Sequence, residues 1–322
     1  MRRRRGPHRV GGALLGGAVL GASALLGPLS AAGAASARAV SSQAAKGIAL
    51  DPAMFATGAC MAFAPTSGNR HQTVFLDAGH GGIDPGGVGT TEDGSQIAES
   101  QINLPIELAS MAILRAHGFR VVVSRTQDTT VLRLGPADVD DGLLSLQGAH
   151  DDVAARDECA NLSKASALVG IYMDAGYEST NAGSIAAYDS DRPFAQSNLA
   201  LATDLQNAVL WAMDAEGWGI PNDGVQDDTG LGSSVGNPAD GGLAAASAAY
   251  DHLMLLGPAE TGYFTTPSTM PGALIEPLYL TDPYEGTLAQ GASGQAVIAQ
   301  GIAGAVEQFL APPKAAHPAT PA

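Results

Sequence analysis

The feature that most constrains this chain is an alternation of short apolar runs, glycine-bearing loops and stretches with helical spacing. Thr73-Val74-Phe75-Leu76 is one such run, and it opens into a loop from Ala78 to Gly89 that carries six glycines. From Asn103 to Ala116, Leu104, Leu108, Met111, Ile113 and Leu114 recur at helical spacing, with Pro105 expected in the first turn. Gly118 ends that helix, and Phe119-Arg120-Val121-Val122-Val123 reads as the next strand. The pattern repeats with a short helix at Arg156–Ala165 and strands at Ala167–Tyr172 and Gly183–Tyr188. A long helix at Ser197–Glu216 follows, then buried strands expected at Asp251–Leu256 and Gly272–Ile275, and a closing helix at Gln295–Leu310. Strands apolar on both faces need cover on both faces. The expected fold is therefore α/β: a single, mostly parallel twisted sheet with helices on either side. Two connections are longer than such a fold needs. Residues 127–153 and 219–249 read as functional lids or solvated surface.

The first 39 residues follow a different logic. They hold six arginines and no acid, then an apolar Gly/Ala/Leu/Val run from about Val10 to Leu29, then Ala37-Arg38-Ala39. A basic start, an apolar stretch and a small-x-small site form an export-signal pattern. Residues 40–71 read as an N-terminal lead-in, 72–310 as the folded domain, and 311–322 as a disordered Pro/Ala tail. After cleavage no membrane segment is expected, and the protein would be secreted, in the periplasm or in the cell wall. The full chain carries 16 basic against 32 acidic residues. Removal of the signal leaves ten basic residues against all 32 acids, a net charge of −22. Such a surface argues against a nucleic-acid partner, which requires a basic footprint. Export also puts Cys60 and Cys159 in an oxidising compartment, where they form a disulfide or remain as two buried thiols.

Chemistry concentrates at the ends of the expected strands. Leu76-Asp77-Ala78-Gly79-His80-Gly81-Gly82 places a histidine among glycines at the carboxyl end of a strand, where α/β sheets bind ligands. Glu99 opens the first helix within Glu99-Ser100-Gln101-Ile102-Asn103-Leu104. Ser124-Arg125 closes the second strand, and Arg156-Asp157-Glu158-Cys159-Ala160-Asn161 precedes the third. Glu276 ends an apolar strand and leads into Asp282-Pro283. A carboxylate in such a place needs a partner or a task. Gly232-Ser233-Ser234-Val235-Gly236 matches a serine-hydrolase elbow, but no buried strand leads into it.

Taken in order, these segments resemble the zinc-dependent N-acetylmuramoyl-L-alanine amidases of the type-3 family, over about Thr73 to Leu310. The resemblance implies that His80 and Glu99 are zinc ligands, that Glu276 is the catalytic glutamate, and that Arg125 and Arg156 have structural or substrate-binding roles. It implies hydrolysis of the amide between N-acetylmuramic acid and L-alanine in peptidoglycan. Zinc would polarise the carbonyl and acidify a water to a pKa of ~7.

One position departs from the family pattern. Where the family has its third zinc histidine, this chain has Tyr172, within Gly170-Ile171-Tyr172-Met173-Asp174-Ala175. Asp174 lies two residues on, on the same face of an extended strand, and is favoured as the substitute ligand over Tyr172. His150 and His252 are more distant candidates from loops. The alternative reading is a catalytically impaired amidase fold that binds wall material or a partner.

Overall fold

The computed structural model describes residues 47–231, 239 and 241–312. The expected export signal, the elbow at 232–236 and the tail beyond residue 312 lie outside the described residues.

The strands in chain order are β1 (Ile48–Ala49), β2 (Ala59–Phe63), β3 (Thr73–Ala78), β4 (Val88–Thr90), β5 (Gln96–Ala98) and β6 (Arg120–Arg125). They continue with β7 (Val139–Asp140), β8 (Leu143–Leu144), β9 (Ala167–Ile171), β10 (Ser184–Tyr188), β11 (Asn222–Asp227) and β12 (Gly272–Glu276). The helices are α1 (Glu99–Ala116), α2 (Leu146–Ser163), α3 (Ala195–Ala215), α4 (Gly242–Ala249), α5 (Pro283–Gln290) and α6 (Ala292–Phe309).

Eight strands form one sheet in the order β1-β2-β6-β3-β9-β12-β10-β11. Its centre, β6-β3-β9-β12, is parallel throughout. Flanking it, β2 runs antiparallel to β6 and to the edge strand β1, and β10 runs antiparallel to β12 but parallel to the other edge strand, β11. The expected α/β architecture therefore holds, with a mixed rather than purely parallel sheet. Alternating side chains divide the core between the two faces. Val74, Leu76, Val169, Ile171 and Ile275 pack beneath α1, α3 and α6. Phe75, Leu168, Tyr172 and Leu274 pack beneath α2 and the 253–256 segment.

Several boundaries differ from the sequence reading. Within the segment read as a lead-in, β2 joins the sheet and is bonded to α2 through a Cys60–Cys159 disulfide. The helix expected at Arg156 begins ten residues earlier, because the Ser145 side chain caps it by accepting from the Gly148 amide. Pro105 falls in the second turn of α1, since that helix starts at Glu99. Asp251–Leu256 is not a strand. Leu253, Leu255 and Leu256 are buried, but in a turn packed under the sheet. The two long connections also fold. Residues 127–153 supply the β7–β8 hairpin and the first turns of α2, and residues 219–249 supply β11 and α4.

Candidate active site

Parallel strands place their carboxyl ends at one edge of the sheet, and the chemical residues gather there. β3 runs into Gly79-His80, β9 into Tyr172–Asp174, and β12 ends on Glu276. His80 has φ +58°, a left-handed backbone that turns its ring back over the strand ends. Two glycines make room for it. A Cβ on Gly86 would lie 2.3 Å from the His80 ring, and one on Gly79 would lie 2.2 Å from the Tyr172 ring.

The imidazole is oriented from both sides. Nδ1 lies 2.8 Å from Asp84 Oδ2, and Nε2 lies 3.2 Å from Glu99 Oε2. Glu99 is itself fixed: Oε2 accepts from the Gly87 amide at 2.9 Å, and Oε1 accepts from the Met173 amide at 3.0 Å and from Asn103 at 3.2 Å. Its position at the start of α1 also sets a carboxylate at the positive end of the helix. Asp174 and Glu276 hydrogen-bond to each other, and Tyr279 holds Asp174. All three carboxyls are buried, at 2%, 4% and 1% exposed for Glu99, Asp174 and Glu276, which is costly without compensating charge.

The titration behaviour shows how they compensate. Burial depresses His80, but Glu99 and Asp84 outweigh burial and raise it to about 10. Burial, then the Glu99 and Asp223 carboxylates, push Asp174 up to about 6 against the Tyr279 hydrogen bond. Burial, then Asp174 and Glu99, push Glu276 well above the ordinary carboxylate range. Three buried atoms of this centre make no well-aligned hydrogen bond, His80 Nε2, Asn103 Oδ1 and Glu276 Oε2, with Nε2 set against the Glu99 carboxylate. A cation at this centre would oppose all three shifts and could sit between His80 Nε2 and the Glu99 carboxylate, so the donor set fits a metal. His80 and Glu99 offer the close pair of ligand atoms. Asp174 belongs to the same charge cluster but does not complete a triad within 4.8 Å; among the described residues only Asp189, Asp228 and His252 do.

The family model for N-acetylmuramoyl-L-alanine amidases matches residues 74–308. The chain belongs to this family. No curated protein sequence matches it significantly. Its fold is similar to that of three solved amidases. N-acetylmuramoyl-L-alanine amidase AmiC2 of Nostoc punctiforme has 23% identity and a TM-score of 0.51, covering 76% of this chain and 99% of that one. The CwlD amidase from Clostridioides difficile, solved in complex with the GerS lipoprotein, has 23% identity and a TM-score of 0.53, covering 74% and 98%. An N-acetylmuramoyl-L-alanine amidase from Clostridium difficile 630 has 24% identity and a TM-score of 0.50, covering 76% and 98%.

Around this amidase centre the two arginines hold main chain. Arg125 is fully buried and donates to the carbonyls of Ala78, Gly79 and Ser100. Arg156, 1% exposed, donates to Asp77 Oδ1 at 2.8 Å, to Asp152 Oδ2 at 2.9 Å and to the carbonyls of Ala78 and His80. Neither guanidinium reaches solvent, and both clamp the loop that carries His80, in keeping with the structural one of the two roles expected for them. The Tyr172 hydroxyl is likewise turned away from a ligand role, since it donates to Asp77. His150 and His252 lie elsewhere, bound to Asp151 and the Tyr263 carbonyl and to Asp189 and Asp228 respectively.

Sequence reasoning missed Glu107. It is fully buried, and its Oε1 accepts from the Ala78 amide, the Ser124 amide and the Ser124 hydroxyl, tying β3 to β6 directly behind the His80 loop. A signal was present: Glu99, Asn103 and Glu107 recur every four residues, a polar stripe on an otherwise apolar helix.

Proposed function

We propose that this amidase is exported and hydrolyses the N-acetylmuramoyl–L-alanine bond of peptidoglycan with a zinc ion held by His80 and Glu99, Asp174 closing in as the third ligand when the ion binds. The meeting of His80 Nε2 with the buried carboxylates of Glu99, Asp174 and Glu276 at the strand ends carries this reading. Zinc, when bound, supplies Lewis acidity toward the scissile carbonyl and toward water. The chain's own residues do the rest. Asp84 engages Nδ1 of His80 and leaves Nε2 for the metal. Glu276 takes a proton from the attacking water on its unpartnered Oε2 and delivers it to the leaving amine of L-alanine. Asp174, hydrogen-bonded to Glu276, poises that carboxyl.

The basic, apolar N-terminus and the Cys60–Cys159 disulfide support export to an oxidising compartment. Among the described residues, no helix is long and apolar enough to cross a membrane. With a mature charge of −22, and with carboxylates on peptidoglycan stem peptides, recognition must be local and not a matter of bulk charge.

Tyr172 favours a second reading, a member of the family that binds wall material without turnover. Stem-peptide release from purified peptidoglycan, measured with zinc and with chelator, separates the two. Zinc-dependent release supports the enzyme. Retention on peptidoglycan without release at any zinc concentration supports the binding protein.

A further inference from the structure

β10 and β11 are parallel, with Tyr188 in register with Asp227 and the Asp228 amide donating to the Tyr188 carbonyl at 2.8 Å. The next residues of each strand, Asp189 and Asp228, therefore emerge side by side, and both are fully buried. Each carboxylate has one oxygen tied to main chain. Asp189 Oδ1 accepts from the Asp191 amide at 2.6 Å, and Asp228 Oδ2 accepts from the Leu253 amide at 3.0 Å. The remaining oxygens turn toward one nitrogen: His252 Nδ1 lies 3.0 Å from Asp189 Oδ2 and 3.2 Å from Asp228 Oδ1. Beyond the His252 and Asp228 side chains that face it, no hydrogen-bond partner reaches Asp189 Oδ2. Nδ1 donates a proton to this carboxylate pair, and a bound cation would take that proton's place, with the ring's remaining proton on Nε2, 3.8 Å from Asp191 Oδ2.

We infer that Asp189, Asp228 and His252 form a second divalent-metal site, separate from the amidase centre. Ligand atoms about 2.0–2.2 Å from a tetrahedral ion lie about 3.3 Å from one another, close to the spacing seen here. Two carboxylate oxygens and one imidazole suit a borderline ion such as Zn²⁺ or Mn²⁺ better than Ca²⁺, which takes an all-oxygen shell. The site is structural. β10 runs against β12, and Ile185, not Asp189, pairs with Glu276. Asp189 lies four positions beyond Ile185, so the triad sits ~13 Å further along the strand, toward the opposite edge of the sheet. An ion there would join the ends of β10 and β11 to the 250–257 turn, closing the long connection after β11 onto the sheet.

The test uses the purified full-length protein and two sets of variants, loaded with excess Zn²⁺, or with Mn²⁺ in parallel, and then desalted. A His80→Ala/Glu99→Gln variant, disabled at the amidase centre, should retain about one equivalent of metal. Asp228→Asn and His252→Gln should each lower affinity at this site about a hundredfold while leaving metal at the amidase centre. In the unsubstituted protein, zinc should shift the nitrogen-15 resonance of His252 Nδ1, a readout that needs no variant to fold. Loss of all metal in His80→Ala/Glu99→Gln, or a His252 resonance that does not move on saturation, would overturn the assignment. Loss of amidase activity with metal still held by Asp228 and His252 would count against the catalytic reading alone.

Discussion

The Tyr172 hydroxyl donates to Asp77 Oδ2 at 3.0 Å, while the Tyr172 ring meets His80 edge-on at 5.6 Å between centroids. The side chain at the third-ligand position is thus a buried donor pointing down the sheet. Burial first, then the Asp77 carboxylate, raise its pKa well above that of an ordinary tyrosine and keep it neutral. Asp77 is shared with Arg156, so Tyr172 completes a Tyr172–Asp77–Arg156 network beneath the His80 loop.

If Tyr172 serves packing and hydrogen bonding, Tyr172→Phe should leave zinc affinity unchanged and cost about 1–3 kcal/mol of stability, through the acceptor left unsatisfied on Asp77. Tyr172→His should raise zinc affinity at least tenfold. Calorimetric zinc titration together with urea unfolding reads both. A large loss of zinc affinity in Tyr172→Phe would mean that the phenol oxygen is a ligand after all.

Asp174→Asn keeps the shape of the side chain and removes its charge. It should weaken zinc binding by about 10–100-fold, as read by equilibrium dialysis. Unchanged affinity would limit the ligands from this cluster to His80 and Glu99.

Glu107 makes a prediction about pH. Burial, then the neighbouring Asp77, outweigh Arg125 and raise its pKa from 4.5 to about 8. Between those values the native state keeps a proton that the unfolded state has released. The stability from Glu107 is therefore full below about 4.5 and is lost as pH rises through about 8. Glu107→Gln keeps the accepting oxygen for Ala78 and Ser124, so its urea midpoint should fall less between pH 5 and pH 8 than that of the parent. Parallel pH dependences in the two proteins would show that Glu107 is ionised in the fold.

The Cys60–Cys159 bond spans 99 residues and ties β2, next to the edge of the sheet, to α2. Loops of that size are worth about 3–5 kcal/mol, so Cys60→Ala/Cys159→Ala should unfold at clearly lower urea. Equal midpoints, with the parent shown to be oxidised, would contradict a stabilising role.

What the sequence revealed follows from which physical signals are local. His80 among glycines, Glu99 at a helix start and Glu276 at a strand end could each be read where they stand, because loop geometry and strand ends leave local marks. The supporting groups could not. Arg125 and Arg156 are arginines in motif positions, and only burial against the 78–80 carbonyls shows that they hold main chain. Leu253–Leu256 is apolar enough for a strand, yet a short apolar run does not distinguish a buried strand from a buried turn. Asp189, Asp228 and His252 are dispersed over 64 residues of sequence, and only the parallel register of β10 and β11 with the returning turn brings them together.

The most direct measurement of the central claim is the rate of stem-peptide release from peptidoglycan by the zinc-loaded protein and by its Glu276→Gln variant. Loss of the proton-transferring carboxyl should slow release by about 10²–10⁴-fold while zinc content stays the same. Release at the parent rate by Glu276→Gln, or no release by the zinc-loaded parent, would contradict hydrolysis at this centre.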